Sequence, residues 1–350
     1  MKAPRFYFAT CQFGAEKAVK AEVVDQHPSL RFAFSRPGFI TFKESDERRP
    51  LLRQLDGIFV RLWGSSVTQA KHEAARAILD AVWPGSLIHA FERDTFVPGD
   101  DPPGFEWNER IRPFIDALPA DIRDRHRWDE EPRPGETVHD LIWLDQDHYF
   151  LGRHEHRAGI EPVPGNIPRI AMPASAPSRS YLKIEEAILR YRPPMKPGLR
   201  VLEVGCAPGG ATTAMLARGF IVRGVDPQRM DERLYREQNF TSVQRPARQL
   251  TRDDVTSFNP DWIVMDMNIA PLEALDELGH VIRLLRASHG PALAIKHGFL
   301  TLKLNDWSFA RMIPLYLKRI SEMGFSDLRP TQLCANRQEF LVAAGGFHAR

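Results

Sequence analysis

Leu199-Arg200-Val201-Leu202-Glu203-Val204-Gly205 runs straight into Cys206-Ala207-Pro208-Gly209-Gly210 and then into a helical stretch, Ala211–Arg218. An apolar run, a glycine turn and a helix in immediate succession open a doubly wound α/β sheet, and few other architectures accept that order. The small residues of such a turn let a ligand come close to the backbone. A Rossmann-like domain also places an acid at the end of its next strand, where it accepts hydrogen bonds from ribose hydroxyls, and Asp226 stands 21 residues after Gly205. An adenosine-containing cofactor is therefore expected. The dinucleotide fingerprint G-x-G-x-x-G is not met, because Ala207 takes the place of its second glycine and Pro208 follows. NAD, and with it a nicotinamide-dependent oxidoreductase, is disfavoured. S-adenosylmethionine, a nucleoside without pyrophosphate, fits a loop closed by Pro-Gly-Gly at least as well. The plain alternative is a tight turn in an unliganded α/β protein, against which Asp226 argues.

The same grammar extends through the second half. Leu199–Val204, Ile221–Val225, Trp262–Met265 and Ala292–Ile295 are short apolar runs separated by helical stretches, the pattern of buried parallel strands and their crossovers. The first half reads differently. Arg5–Thr10, Leu30–Phe34 and Phe39–Phe42 read as strands, with a helix over Ala15–Gln26, which together make a small α+β unit. A further strand is expected at Ile58–Trp63, a helix at Lys71–Val82, and a β-hairpin from Thr137–Leu144 to His148–Arg153. Residues 98–135, rich in proline and acids, read as a long irregular excursion around one helix near Arg110–Leu118. The proline-spaced stretch at 161–177 reads as a linker.

In open α/β sheets the carboxyl ends of the strands line the ligand crevice, so a charge ending an apolar strand is informative. Trp262-Ile263-Val264-Met265 ends in Asp266, and Ala292-Leu293-Ala294-Ile295 ends in Lys296. Glu339 opens the last strand, Phe340-Leu341-Val342-Ala343; if that strand is antiparallel, its start reaches the same crevice. Lys183 falls in the first turn of a helix beginning at Ser178-Arg179-Ser180, where the helix dipole disfavours a cation. Carboxylates across the crevice would supply its reason. Lys183, Asp266, Lys296 and Glu339 are thus expected to converge.

Composition sets the remaining bounds. With 43% apolar and 26% charged residues among 350, and no apolar run near the roughly 18 residues a bilayer requires, the chain reads as a soluble, cytosolic protein of two or three domains. Cys11, Cys206 and Cys334 are far apart, so neither a disulfide framework nor a zinc site is indicated, and His154-Glu155-His156 lacks metal-ligand spacing. Residues 1–150 carry 20 Lys+Arg against 25 Asp+Glu, and residues 151–350 carry 27 against 20. The basic excess of the second half suits a polyanionic partner. Arg179, Arg190, Arg192, Lys196 and Arg200 are candidates for phosphate contact, with a solvated helix face as the alternative.

The arrangement resembles the FtsJ-type ribose 2′-O-methyltransferases, whose hallmarks are a Lys-Asp-Lys-Glu tetrad, an S-R-x-x-x-K opening, a G-x-x-P-G-G loop and a D-M strand end. Here these are Ser178 to Lys183, Gly205 to Gly210, and Asp266-Met267. Ile167-Pro168-Arg169, Ala176 to Ser180 and Glu185-Glu186-Ala187 are most similar to the members that modify a cytidine of large-subunit ribosomal RNA. Cys11, Gly14, Glu16 and Lys17 are similar to their ferredoxin-like and THUMP-type RNA-binding module. Asn268-Ile269-Ala270-Pro271 departs from the family's usual sequel. The resemblance implies a ferredoxin-like module at 1–60, a THUMP-like region at 61–160, the linker at 161–177 and the methyltransferase domain at 178–350. It also implies S-adenosylmethionine as cofactor, large-subunit rRNA but not DNA or membrane as partner, and a monomer. Cofactor contacts would come from Ser180, Gly205, Ala207, Pro208, Gly209, Gly210, Asp226 at the ribose, Asp254 (or its neighbour Asp253) at the adenine, and Asp266 near the methyl group. Lys296 would be the base, its pKa lowered from about 10.4 to roughly 7–8 by burial and Lys183, with Asp266 and Glu339 opposing that shift. The rival from another class is a non-catalytic RNA-binding or ribosome-assembly protein that kept the fold.

Overall fold

The apolar runs of the second half have no polar face to offer water, and strands of that composition need cover on both sides, which a parallel sheet flanked by helices provides. The computed structural model describes residues 5–46, 48–96 and 110–348. It contains two compact units, Met1–Arg169 and Ile170–Arg350.

The first unit is built on one eight-stranded sheet. In chain order it holds β1 (Phe6–Thr10), α1 (Glu16–Gln26), β2 (Leu30–Arg36), β3 (Phe39–Glu44), β4 (Leu62–Lys71), β5 (Leu87–Glu92), the short helices α2 (Arg112–Asp116) and α3 (Ala120–Arg123), β6 (Arg127–Trp128), β7 (Thr137–Asp145) and β8 (His148–Glu155). The spatial order is β2-β3-β1-β4-β8-β7-β5-β6. β1 pairs antiparallel with both β3 and β4, so the boundary expected at residue 60 runs through a continuous sheet. β4 begins four residues after the strand expected at Ile58, because only its first three residues are buried and its polar second half is held by pairing with β8 across a bulge. The stretch expected to be helical at 71–82 is a 3-10 helix over His72–Ala81. The hairpin of β7 and β8 forms with its turn at 146–147. Of the excursion expected at 98–135, residues 98–109 lie outside the described residues, and the remainder carries α2, α3 and β6.

The second unit contains α4 (Ser180–Tyr191), β9 (Arg200–Val204), α5 (Gly210–Leu216), β10 (Ile221–Val225), β11 (Phe240–Val243), α6 (Arg252–Thr256), β12 (Trp262–Asp266), α7 (Pro271–His289), β13 (His297–Lys303), α8 (Ile313–Glu322), β14 (Asp327–Thr331) and β15 (Glu339–Gly345). Its sheet runs β11-β10-β9-β12-β13-β15-β14. Six strands run the same way, and only β15, the final strand of the chain, runs antiparallel to them, between β13 and β14, as expected. The strand order reverses at β9, so the crevice opens at the carboxyl ends of β9 and β12.

One expected strand is misplaced. Residues 292–295 are not a strand; the ladder with β12 starts at Trp262↔His297 and reaches Asp266↔Thr301. Lys296 sits exposed at the entry to β13, its N–H donating to Asp261 O at 2.9 Å, and is thus at the wrong end of the sheet for the crevice. The strand instead ends at Lys303, seven residues on and therefore about 23 Å away at ~3.3 Å per residue.

The longest helix, α7, starts with a proline at its first turn and buries Ala274, Leu275, Leu278, Val281, Ile282 and Leu285, a stripe at three- and four-residue spacing. No helix among the described residues is long and apolar enough to cross a membrane. Leu278 is fully buried. Leu278→Ala is therefore expected to lower stability by about 2–5 kcal/mol, read as a fall in the urea midpoint; a loss under about 1 kcal/mol would place that stripe outside the core.

Candidate active site

Four side chains from four elements meet at the carboxyl end of the sheet. Asp266 is the last residue of β12, and Lys303 is the last of β13. Glu339 is the first of β15 and lies directly across the antiparallel ladder from Lys303. Lys183 reaches in from the first turn of α4. Lys183 Nζ donates to Asp266 Oδ2 at 2.8 Å and lies 2.6 Å from Glu339 Oε1. Lys303 Nζ donates to Asp266 Oδ1 at 2.9 Å and to Glu339 Oε2. Each ammonium bridges both carboxylates, and each carboxylate oxygen takes one ammonium, so the four form a closed ring of alternating charge.

Three members are residues expected from the sequence, and the fourth corrects it: Lys303 occupies the place assigned to Lys296. The signal was present in Phe299-Leu300-Thr301-Leu302-Lys303, a second apolar run ended by a lysine. It was masked because the run before it also ended in one.

The ring decides the proton affinity of its members. Burial works against the Lys303 ammonium, but Asp266 and Glu339 outweigh it and push its pKa up. The lowered lysine pKa expected of the base is thus reversed in this arrangement. Burial would raise the Glu339 carboxyl, yet Lys183 and Lys303 pull it down to about 2. One residue of β9 shows the opposite behaviour. Glu203 is fully buried, and among the described residues no cation meets it; burial, with Asp266 and Asp226 adding to it, raises its pKa to about 8, and Thr212 Oγ1 donates to its Oε2 at 2.5 Å.

Beside the ring, the turn from Gly205 to Gly210 is shaped mainly by close approaches within the chain. Gly205 has φ +81°, and a Cβ there would lie 2.7 Å from the Asp266 carbonyl oxygen. Gly209 has φ +116°, and its Cβ would strike Leu234. A Cβ on Gly210 would meet the hydroxyls of Ser178 and Ser180. The side a Cβ would occupy at these glycines is taken up by the chain itself, which draws β9, β12 and the start of α4 together. Asp226, at the end of β10, accepts from Ala207 N at 3.0 Å and from Gln228 N at 2.8 Å, which fixes a half-buried carboxylate beside Ala207 and Pro208. A nucleoside fits that donor set, because a carboxylate held at a strand end retains lone pairs for ribose hydroxyls.

Two expected cofactor residues are otherwise engaged. Ser180 Oγ pairs with Ser178 Oγ at 2.7 Å and accepts from Ala211 N at 3.1 Å, tying α4 to α5. Asp254 caps its own helix, accepting from Thr251 N and Oγ1 at 2.8 Å and from Arg245, while Asp253 is exposed. Of the basic candidates, Arg192, Lys196 and Arg200 are exposed, but Arg200 opens β9 at the end of the sheet opposite the crevice, where Lys296 also lies, and Arg190 donates to Glu186. Among the described residues no cluster of His, Cys, Asp and Glu is able to hold a metal ion.

A doubly wound sheet with an antiparallel final strand and this ring at its crevice defines a methyltransferase of the S-adenosylmethionine-dependent class. Residues 176–310 match the FtsJ-like methyltransferase family, so the chain carries an FtsJ-like methyltransferase domain. The chain is similar to the ribosomal RNA large subunit methyltransferase M of Tolumonas auensis, 28% identical over 73% of this chain and 74% of the relative. The protein of that name from Xanthomonas axonopodis is 29% identical over 67% of this chain and 66% of the relative. That from Histophilus somni is 32% identical over 41% and 40%.

Two outcomes follow from the geometry of β9 and its turn. Gly205→Ala forces a Cβ into the Asp266 carbonyl and a left-handed backbone costing about 1–2 kcal/mol by itself; calorimetry should show a lower Tm and weaker S-adenosylmethionine binding, and wild-type behaviour would refute the close approach. Glu203 takes its proton at about 8 in the folded chain against an ordinary 4.5, so between those values the folded state holds the extra proton and stability falls as pH rises. Glu203→Gln should remove that slope, and its Tm advantage over wild type should grow from pH 5 to pH 8; an advantage independent of pH would show that Glu203 ionises normally.

Proposed function

We propose that the chain transfers the methyl group of S-adenosylmethionine to a ribose 2′-hydroxyl of large-subunit ribosomal RNA, at a cytidine. The observation that carries this reading is the closed Lys183–Asp266–Lys303–Glu339 ring at the crevice of an FtsJ-like domain. The names of the similar proteins support an rRNA substrate. When bound, S-adenosylmethionine supplies an activated methyl group on a positively charged sulfur. Asp226 would hold its ribose, with Ala207 and Pro208 alongside.

The chain's own contribution is orientation and proton handling. Transfer to a hydroxyl is in-line and gains most from fixed geometry, and the hydroxyl proton needs an acceptor. Lys303 is the proton-handling member. Its Nζ holds a proton between two carboxylates, and it becomes a base only once that proton has left. Lys183 and Glu339 hold Lys303 in place, and Asp266 orients both lysines toward the crevice. The first unit serves as the RNA-binding module, ferredoxin-like and THUMP-like in character, and the exposed Arg192 and Lys196 contact phosphates. The protein would act in the cytoplasm as a monomer.

Mass-spectrometric mapping of ribose methylation on rRNA incubated with S-adenosylmethionine tests the reading. Lys303→Ala should abolish transfer while cofactor affinity measured by calorimetry stays within about threefold, and Lys296→Ala should remain active. The reverse pattern would return the role to Lys296. Because the two acids raise the Lys303 pKa, kcat should climb as pH rises into the alkaline range; a kcat that falls there would remove Lys303 as the base.

A further inference from the structure

Glu186 lies on α4 one turn beyond Lys183, and its side chain is almost wholly buried. Its Oε1 accepts from Cys334 N at 2.8 Å and its Oε2 from Ala335 N at 2.9 Å, while Arg190 Nη2 donates to Oε1 at 3.1 Å. Two consecutive main-chain N–H groups are thereby docked onto the helix that carries Lys183. The next residue, Asn336, is fully buried. Its Oδ1 accepts from Leu333 N at 2.8 Å and its Nδ2 donates to Glu339 Oε1 at 3.0 Å, the same oxygen that Lys183 approaches. Gln332 Nε2 donates to Arg337 O at 2.9 Å and closes the loop from the other side.

A buried carboxylate is costly unless its oxygens are met, and a loop is anchored as well by a neutral side chain. Here the charge is spent on the segment that leads into β15, within one helical turn of the ring. We infer that Glu186 and Asn336 are positioning residues that fix residues 333–339 to α4, so that Glu339 is preset between Lys183 and Lys303. The inference rests on the reading of the ring as the transfer site. Its physical basis is that β15 enters the site at its very first residue, where the ladder with β13 supports Glu339 on one side only. The loop must supply the rest. A displacement of about 1 Å in such a group is enough to lower a rate about 100-fold.

Asn336→Ala and Glu186→Gln test this. In Asn336→Ala, kcat for rRNA methylation should fall about 10- to 100-fold while KM for RNA and the affinity for S-adenosylmethionine stay within about twofold. In the cofactor-free protein, the Glu339 carboxyl followed by carbon-13 NMR should titrate higher than in wild type, because a donor to its charged form is gone. In a Glu339→Ala background, where no acceptor remains for the Asn336 amide, Asn336→Ala should cost nothing further in residual kcat. Glu186→Gln should lower kcat in the same direction; should that variant fail to fold by circular dichroism, the Asn336 measurements decide alone. Unchanged kcat in Asn336→Ala, an unmoved Glu339 titration, or an equal loss in both backgrounds would overturn the assignment. A wild-type protein that methylates no RNA would overturn the reading of the ring instead, and the NMR titration would still test the positioning.

Discussion

Two ammonium groups shared between two carboxylates, at the point where two strands end and a third strand and a helix begin, are the constraint around which the second unit is arranged. Their formal charges cancel, so the ring is tolerated in a largely dry place. Removing any one member would leave an uncompensated buried charge, typically about 3–5 kcal/mol. The same balance governs the chemistry. The acids hold the Lys303 proton and the lysines hold Glu339 ionised, so the site at rest is an ordered ion cluster with its protons assigned. Glu203, a few residues back on β9, has no such partner among the described residues and is neutral over much of the physiological range. Buried carboxyl groups in one sheet thus behave oppositely because only one of them is met by cations.

Geometry brings the ring together through backbone contacts that the charges themselves do not make. Glycine at 205 lets the ends of β9 and β12 touch, which sets Asp266 beside the cofactor turn. The register of β13 against β15 places Lys303 across from Glu339, and the tie from Ser180 to Ala211 fixes where α4 begins. The glycines that a sequence reader assigns to a ligand serve the chain first.

Much of this was legible in order of residues. The strand, glycine turn and helix at Leu199–Arg218 announced the doubly wound sheet, and Asp226, Asp266 and Glu339 were marked by charge at the edge of an apolar run. Lys183 was marked by sitting where a helix dipole disfavours it. The run that ends at Lys296 is apolar for a physical reason. Leu293 and Ile295 are buried as they lead into the sheet, so hydrophobicity rises before strand pairing begins. Asp254 and Ser180 each also bond within the chain, Asp254 to its own helix cap and Ser180 to the start of α5.

The chain by itself determined which residues are apolar, where strands and helices alternate, and which charges stand near the ends of those runs, because these follow from side-chain chemistry and local periodicity. Tertiary structure alone decided which lysine completes the ring, which way its pKa moves and which loop holds Glu339. Those depend on strand register and on the joint desolvation of groups up to 156 positions apart, Lys183 and Glu339. Register is a property of two strands together, and a proton affinity belongs to everything packed around the group.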